Sequence, residues 1–115
     1  MDYSSLFSLV LPSGLLDYFK IKDCKVELKR VDLYLDEVIY EPEGYSAGEV
    51  SIHGFSRESV IQDFTFRDKS LYLHMRRRRF LVAKTGKTIS RDLSFIAQGT
   101  HLTAEFAAFL KGVYR

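Results

Sequence analysis

The sequence predicts an α+β fold: a small antiparallel sheet of β-hairpins, short N-terminal helices and one C-terminal amphipathic helix. Between residues 21 and 90, apolar residues repeatedly fall at every second position, the period of half-buried strands. At both ends the apolar spacing changes to three and four residues, the period of a helix. The 115 residues suit a single domain spanning 1–115 with one core.

The composition excludes several classes of protein. The chain is 46% hydrophobic and contains nine Phe and seven Tyr, which argues against disorder. Its one cysteine, Cys24, excludes an internal disulfide framework and a CxxC metal site. The sequence contains no signal peptide and no transmembrane run, so we expect a cytoplasmic protein.

Two short helices are predicted over residues 4–19. Leu6, Leu9 and Val10 form a stripe at helical spacing, and Pro12-Ser13-Gly14 ends that helix. A further turn or two over 15–19 faces the same core. We assign these helices to the core and give them no function.

Alternation predicts four strands before residue 67. Residues 21–39 form two strands joined at Lys29-Arg30, or one long strand with a bulge. Strands over 50–55 and 60–66 flank a polar turn. The intervening segment 40–49 is an acidic loop, because Pro42, Gly44 and Gly48 interrupt any regular element.

The strand at 68–81 carries the most unusual pattern. Leu71, Leu73 and Met75 alternate with polar residues, and four consecutive arginines, 76–79, follow. Arg76 and Arg78 should point one way and Arg77 and Arg79 the other. Unpaired guanidinium groups are costly to bury, so the arginines are expected at a sheet edge, at a strand end that runs past the core, or against an anionic partner, and DNA binding requires them to face outward. Residues 84–87 then turn, with Gly86 supplying a positive φ, and 88–90 return to complete a basic hairpin.

The chain ends in a predicted amphipathic helix. Its apolar face follows helical spacing: Leu102, Phe106, Phe109, Leu110 and Val113. Thr100 or Thr103 is expected to cap its start. Gly112 should weaken its last turn.

Positive charge is concentrated in one stretch. Residues 67–91 hold nine of the 17 basic residues and one of the 15 acidic residues, a formal charge of +8 that leaves −6 on the rest. Such a stripe favours an anion-binding face. The candidate DNA-binding residues are Arg67, Lys69, Arg76, Arg77, Arg78, Arg79, Lys84, Lys87 and Arg91.

No catalytic or metal constellation is recognisable in the sequence. His53, His74 and His101 lie far apart on different elements, and the acids of the 40–49 loop are best interpreted as solvated charges. A nucleophile motif, a phosphate loop and an HExxH motif are all missing from the sequence. We therefore expect a non-catalytic chain without metal or cofactor.

One block resembles a known family. Ile61-Gln62-Asp63-Phe64, then Lys69 through Phe80 and Thr85-Gly86-Lys87-Thr88-Ile89 are similar to the N-terminal region of ISL-three-type insertion-sequence transposases. The subgroup it resembles has a separately annotated N-terminal open reading frame. In that family two CxxC motifs form a zinc ribbon. Here the second motif falls on Val82 and Thr85, and the first on a loop without cysteine, so the resemblance implies a zinc-ribbon-like domain held by apolar packing.

The resemblance implies binding of double-stranded DNA at the terminal inverted repeats of a mobile element. The catalytic carboxylates of the family would lie beyond residue 115. Replacing Arg77 and Arg79 with alanine is then expected to weaken DNA binding without unfolding the domain.

Three alternatives stay open on the sequence. The C-terminal helix could dock a separately encoded catalytic transposase subunit, provided its apolar face is exposed. Tyr72, His74 and Phe80 could stack bases of single-stranded nucleic acid. The arginines could also be a solvated strand edge that prevents aggregation.

Overall fold

The computed structural model describes residues 3–46, 48–66, 68–97 and 103–112, and within them the chain forms two β-sheets and several short helices. The helices are α1 (Tyr3–Phe7), α2 (Leu15–Tyr18), a 3-10 turn (Ser94–Ala97) and α3 (Ala104–Lys111). The strands are β1 (Phe19–Val26), β2 (Arg30–Glu37), β3 (Val50–Phe55), β4 (Ser59–Phe66), β5 (Lys69–Arg76), β6 (Arg78–Val82) and β7 (Thr88–Ile89). The predicted α+β class is confirmed.

The first sheet has four strands in the order β1-β2-β5-β4. Its outer pairs, β1 with β2 and β4 with β5, are antiparallel hairpins. The central pair is parallel, with Leu33 opposite Leu73 and Leu35 opposite Met75. A parallel pair needs a long crossover connection, and residues 38–68, which include β3 and β4, supply it.

The second sheet has three strands in the order β3-β6-β7. All its pairs are antiparallel, and Phe80 of β6 faces Ile89 of β7. The predicted return strand after Gly86 is therefore present, and Gly86 has the predicted positive φ, 70°.

The main core lies on one face of the four-stranded sheet. The inward residues of β2 and β5 are completely or almost completely buried, and α1, α2 and α3 supply further apolar side chains to the same cluster. Thr103 begins α3 by accepting a hydrogen bond from the Phe106 amide at 3.1 Å. Gly112 ends the helix as a left-handed cap with φ 85°, so it terminates the helix where we expected a weakened last turn.

Two expectations about the sheet were wrong. The strands form two sheets, one of them with a parallel pair, where a single antiparallel sheet of hairpins was predicted. The predicted strand over 68–81 is divided at Arg77, so that β5 belongs to the first sheet and β6 to the second. Alternation alone cannot reveal such a change of sheet, because both halves keep the same period.

No helix among the described ranges combines the length and the apolar character needed to cross a membrane.

Candidate nucleic-acid interface

Arg77 occupies the point where the chain passes from one sheet to the other, and its side chain is fully buried. Its Nε donates to Oε1 of Glu37 at 3.0 Å, and Nη1 donates to the carbonyls of Phe109 at 2.9 Å and Leu110 at 3.2 Å. Nη2 donates to the carbonyl of Arg91. The guanidinium therefore joins β2, the end of α3 and the segment after β7.

The backbone of Arg77 is held as firmly as its side chain. Its amide donates to the Ser56 hydroxyl at 3.0 Å, and its carbonyl accepts from the Ser56 amide at 2.8 Å. Ser56 lies between β3 and β4 and is itself buried. Arg77 lies between β5 and β6 and belongs to neither strand. These two bonds therefore satisfy its backbone amide and carbonyl groups.

Glu37, at the end of β2, is the buried acceptor for three positions of the basic stripe. Besides Arg77 it accepts from the amide of Arg78 at 2.8 Å and from Nε of Arg91 at 2.9 Å. The guanidinium of Arg91 also lies 3.8 Å from the ring centroid of Tyr40. Burial raises the pKa of Tyr40, so its hydroxyl stays protonated while its oxygen accepts from the Arg91 amide at 3.1 Å.

The expectation that all four arginines face outward was therefore wrong. Arg77 is inaccessible to DNA because its side chain is fully buried, where Glu37 and the carbonyls at the end of α3 stabilise its charge. Burial of that charge is tolerated because carboxylate and carbonyl groups engage all three of its nitrogens. The expectation that replacing Arg77 and Arg79 together with alanine would leave the domain folded is corrected for the same reason.

Arg91 and Arg76 are also engaged within the molecule. Arg91 pairs with Glu37. Arg76 forms two bonds to Asp36, at 2.8 and 2.6 Å, which raise the pKa of the arginine. Bidentate pairing of this kind is the strongest geometry available to a guanidinium on a carboxylate, and Arg91 donates to the buried Glu37 through Nε, so neither side chain is a free phosphate ligand.

Arg76 and Arg78 do share one face, as alternation predicted. The guanidinium carbon of each lies 4.1 Å from the ring centroid of Phe55. Nε of Arg78 donates to the backbone carbonyl of Glu37 at 3.0 Å. Among the described residues Arg78 makes no ion pair with a carboxylate. Its positive charge is therefore stabilised by a backbone carbonyl and an aromatic ring without being neutralised.

Four of the candidate residues that lack a carboxylate partner among the described residues lie on β6 and in the turn that follows it: Arg78, Arg79, Lys84 and Lys87. We call residues 78–89, which span β6, this turn and β7, the basic hairpin. Nη2 of Arg79 donates to the Thr88 hydroxyl at 3.0 Å, which links the two strands. Lys84 and Lys87 are exposed at the turn. Within the described ranges, no carboxylate forms a salt bridge with Arg79, Lys84 or Lys87.

The remaining two predicted residues do not extend this hairpin. Lys69 begins β5, seven strand residues before Arg76 and hence about 23 Å from it. Its Nζ donates to the carbonyl of Leu28 at 2.8 Å, in the turn between β1 and β2. Arg67 lies outside the described residues. The predicted DNA-binding residues therefore do not form one continuous surface, because Lys69 lies at the other end of the first sheet.

A polar cluster on the outer face of the first sheet was not predicted. Asp32 accepts from Nε and Nη2 of Arg30 at 2.8 and 2.6 Å and lies 2.7 Å from Nε2 of His74. The other ring nitrogen of His74 lies 3.2 Å from Glu58. The bonds from Arg30, with a contribution from His74, hold the pKa of Asp32 at about 2. The parallel pairing of β2 with β5 brings these residues together, and no local pattern indicates it.

This cluster occupies the aromatic surfaces that single-stranded nucleic acid would need. His74 stacks on Tyr34 with centroids 4.3 Å apart, and Arg30 lies 3.9 Å from the ring centroid of Tyr72. Phe80 is 3% exposed. The three residues expected to stack bases are therefore covered by the protein's own side chains.

The apolar face of α3 is likewise occupied. Phe106, Phe109 and Leu110 are at most 4% exposed and belong to the main core. Leu102 and Val113 lie outside the described residues. Docking of a catalytic subunit through this face required an exposed stripe, and the described part of the stripe is buried.

The structure also locates the other reactive residue types. His53 lies on β3 and His74 on β5, in different sheets, while His101 lies outside the described residues. Burial and the neighbouring Asp23 and Asp32 raise the pKa of Cys24, which is unfavourable for a reactive thiolate. Among the described ranges, no group of three or more His, Cys, Asp or Glu residues is placed to hold a metal ion.

Comparison of the chain with protein-family models, with curated proteins and with solved structures found no match.

Proposed function

We propose that this chain is a non-catalytic DNA-binding module of an insertion-sequence transposase, acting in the cytoplasm. In this proposal the basic hairpin holds duplex DNA at the terminal inverted repeats of the element. The observation that carries it is the pair of exposed lysines in the hairpin turn, Lys84 and Lys87, with the half-buried Arg79 behind them. Among the described residues no carboxylate is paired to any of the three.

The shape of the hairpin supports duplex binding. β3 pairs with β6 from Arg78 to Val82, so the hairpin forms one edge of a three-stranded sheet, and its turn is the part that can enter the major groove of B-form DNA. The turn at Gly86 carries both lysines, while Arg79 lies further back on β6. Lysines and arginines arranged in this way would contact phosphates, which supply most of the affinity of a sequence-independent interaction.

The internal arginine pairs support the same proposal indirectly. Arg77 and Arg91 hold the base of the hairpin to the end of β2 through Glu37, so the orientation of its cations in the folded state is set by the first sheet. A preorganised site loses less conformational entropy when it binds. Arg77 and Arg91 are thus reassigned from DNA contact to positioning of the hairpin.

The salt dependence of binding to a labelled 20-base-pair duplex tests the proposal. Neutralising about three phosphates predicts that log K falls with log salt at a slope of about −2.7. Lys84→Ala/Lys87→Ala should reduce the magnitude of that slope by about 1.8. Fluorescence anisotropy between low and physiological salt measures both values.

A matched control removes two exposed lysines elsewhere. Lys22→Ala/Lys29→Ala makes the same charge change on and beside β1 and should leave most of the affinity intact. The proposal is wrong if no duplex binds at low salt, or if both double variants weaken binding equally.

A further inference from the structure

A groove lies on the side of the molecule where the loop after β2 covers the segment after β7. Its volume is about 600 Å³, and it is formed by Tyr18, by residues 40–45 of the loop and by residues 89–95. This volume is within the range of pockets that enclose a small ligand or a few side chains. The groove does not include the exposed tip of the basic hairpin at residues 84–87, and it adjoins the hairpin at Ile89 of β7.

Aromatic rings form much of the groove. Tyr18 and Phe95 meet edge to face, with centroids 5.5 Å apart. Phe95 is 49% exposed and Tyr45 is 39% exposed, so both leave apolar surface open to the groove. Exposed rings gathered at one place are typical of an interaction surface.

The rim of the groove is acidic. Glu41, Glu43 and Asp92 line it and are exposed. None of the three forms a salt bridge within the part of the chain that the structure describes. The Ser94 hydroxyl and amide lower the pKa of Asp92, so this carboxylate is ionised at neutral pH. Such a rim repels nucleic-acid phosphates and attracts cations.

The groove already shows how it accommodates a guanidinium. Arg91 at its floor lies over the rings of Tyr40 and Tyr18, at 3.8 and 4.8 Å from their centroids. Arg91 shares the single carboxylate of Glu37 with Arg77, and the three carboxylates of the rim outnumber the one positive charge that this leaves. The exposed rings of Tyr45 and Phe95 and the exposed carboxylates of the rim are therefore the same kinds of group as those that hold Arg91.

We propose that this groove binds an arginine-bearing segment of a partner polypeptide, with the guanidinium between the rings of Tyr45 and Phe95 and the carboxylates of the rim. Arginine fits better than lysine, because its planar group stacks on rings and pairs with carboxylates at the same time. Docking here would place the partner beside the base of the basic hairpin and leave the hairpin cations free. The surface also differs from the buried face of α3.

The test uses the whole chain labelled with ¹⁵N and a defined probe, the blocked peptide acetyl-Gly-Arg-Gly-Arg-Gly-amide. Titration should shift the amide resonances of Tyr18, Tyr45 and Phe95 in a saturable way. The same peptide with citrulline, the neutral analogue of arginine, should bind about three- to tenfold more weakly, because it lacks the charge. Shifts spread evenly over all acidic surfaces would contradict the proposal, as would equal binding of the citrulline peptide.

Two variants with the same charge change sharpen the result. Glu41→Gln/Glu43→Gln should weaken binding of the arginine peptide by about three- to tenfold. Glu27→Gln/Asp68→Asn, at the opposite end of the first sheet, should leave it unchanged. Equal loss in both variants would reduce the interaction to general charge attraction and overturn the proposal.

Two further measurements distinguish this inference from the DNA-binding proposal and from self-association. The affinity of Glu41→Gln/Glu43→Gln for duplex DNA should equal or exceed that of the unmodified chain, so failure of the groove and failure of the DNA-binding proposal are distinguishable. Sedimentation of the chain alone should show a monomer at all concentrations. Self-association that is lost in both the groove variant and Lys84→Ala/Lys87→Ala would assign the groove to a second copy and overturn the proposed partner.

Discussion

At the scale of single residues, the molecule depends most on Arg77 and Glu37, both 0% exposed. Arg77→Met would leave Glu37 with Arg91 as its only cationic partner and would remove the bonds to the Phe109 and Leu110 carbonyls. Breaking a buried pair from one side costs about 3–5 kcal/mol. We expect a decrease of that size in the free energy of unfolding, measured by urea denaturation at pH 7.

Arg79→Met is the matched control for Arg77→Met. Its guanidinium bonds a hydroxyl at the surface, so the expected cost is at most about 0.5 kcal/mol. The double variant Arg77→Met/Glu37→Met should cost less than the sum of its single variants, because each single change leaves the other charge buried. Additive costs would show that the pair is not coupled.

Asp32 gives a second prediction at this scale. The bonds from Arg30 lower its pKa from 3.8 to about 2, so the carboxylate contributes stability above pH 4 that is lost as the pH falls towards 2. The difference between the two pKa values corresponds to about 2 kcal/mol. Asp32→Asn should therefore be less stable at pH 7 and should lose less stability between pH 4 and pH 2.

Urea denaturation at several pH values between 7 and 2 measures the effect of Asp32→Asn. Asp68→Asn, an exposed change in the turn before β5, should reproduce the acid response of the unmodified chain. An acid response of Asp32→Asn that matches this control would contradict the assignment.

At the scale of elements, two glycines with similar backbone conformations should respond differently to alanine. Gly86 at the tip of the basic hairpin has φ 70°, and an added Cβ would meet nothing within 4 Å. Gly112 at the end of α3 has φ 85°, and its Cβ would lie 3.2 Å from Oγ of Ser90 and 3.4 Å from the carbonyl of Arg91. Both substitutions incur the left-handed penalty of about 1 kcal/mol.

Gly112→Ala should consequently destabilise the chain more than Gly86→Ala, since only the former also displaces a neighbouring segment. Thermal unfolding of the two variants measures the order. Gly86→Ala should retain DNA binding if the turn keeps its shape. An equal loss of stability in the two variants would mean that the segment around Ser90 moves away from the added Cβ without a cost in free energy.

The elements themselves were largely predictable, and their partners were not. Alternating side chains predicted the strands at 31–36 and 71–75, and Thr103 was one of two candidates for the cap of α3. The parallel pairing of β2 with β5 depends on residues 40 positions apart, and no local pattern encodes it. The partner of Arg77 was unpredictable for the same reason. In the sequence, nothing distinguishes Glu37 from any other polar residue at the end of a strand.

The candidate site was predictable to a similar extent. The basic hairpin was indicated by the concentration of basic residues at 67–91 and by the turn residues at 84–87. Both are features of neighbouring residues in the sequence. Which arginines stay exposed was unpredictable, since that depends on where β5 ends and β6 begins. A cation at that junction meets the carbonyls at the end of α3, where a positive charge is favourable, and that contact appears only in the folded molecule.

At the scale of the whole molecule, the two sheets are stabilised unequally. The main core draws on the first sheet and the helices, whereas the buried Phe80 and Val82 of the second sheet lie outside that cluster. The contacts of the second sheet with the rest include the bonds of Arg78 to Glu37, the packing of Arg76 on Phe55, and the contact of Phe80 with Tyr40, whose centroids are 4.9 Å apart. The molecule is correspondingly elongated, 50 × 29 × 24 Å.

This asymmetry predicts that the second sheet opens before the first. Few buried apolar contacts give a segment a low free energy of local opening, so amides of β6 should exchange with solvent faster than those of β2 and β5. Phe80→Ala should increase exchange over residues 78–89 much more than over 31–36. It should also weaken DNA binding, because the hairpin cations would no longer be held in place. Phe106→Ala, in the main core, should increase exchange in both sheets. Native-state hydrogen exchange by mass spectrometry measures each segment, and equal exchange of the two sheets in Phe80→Ala would show that the molecule opens as one unit.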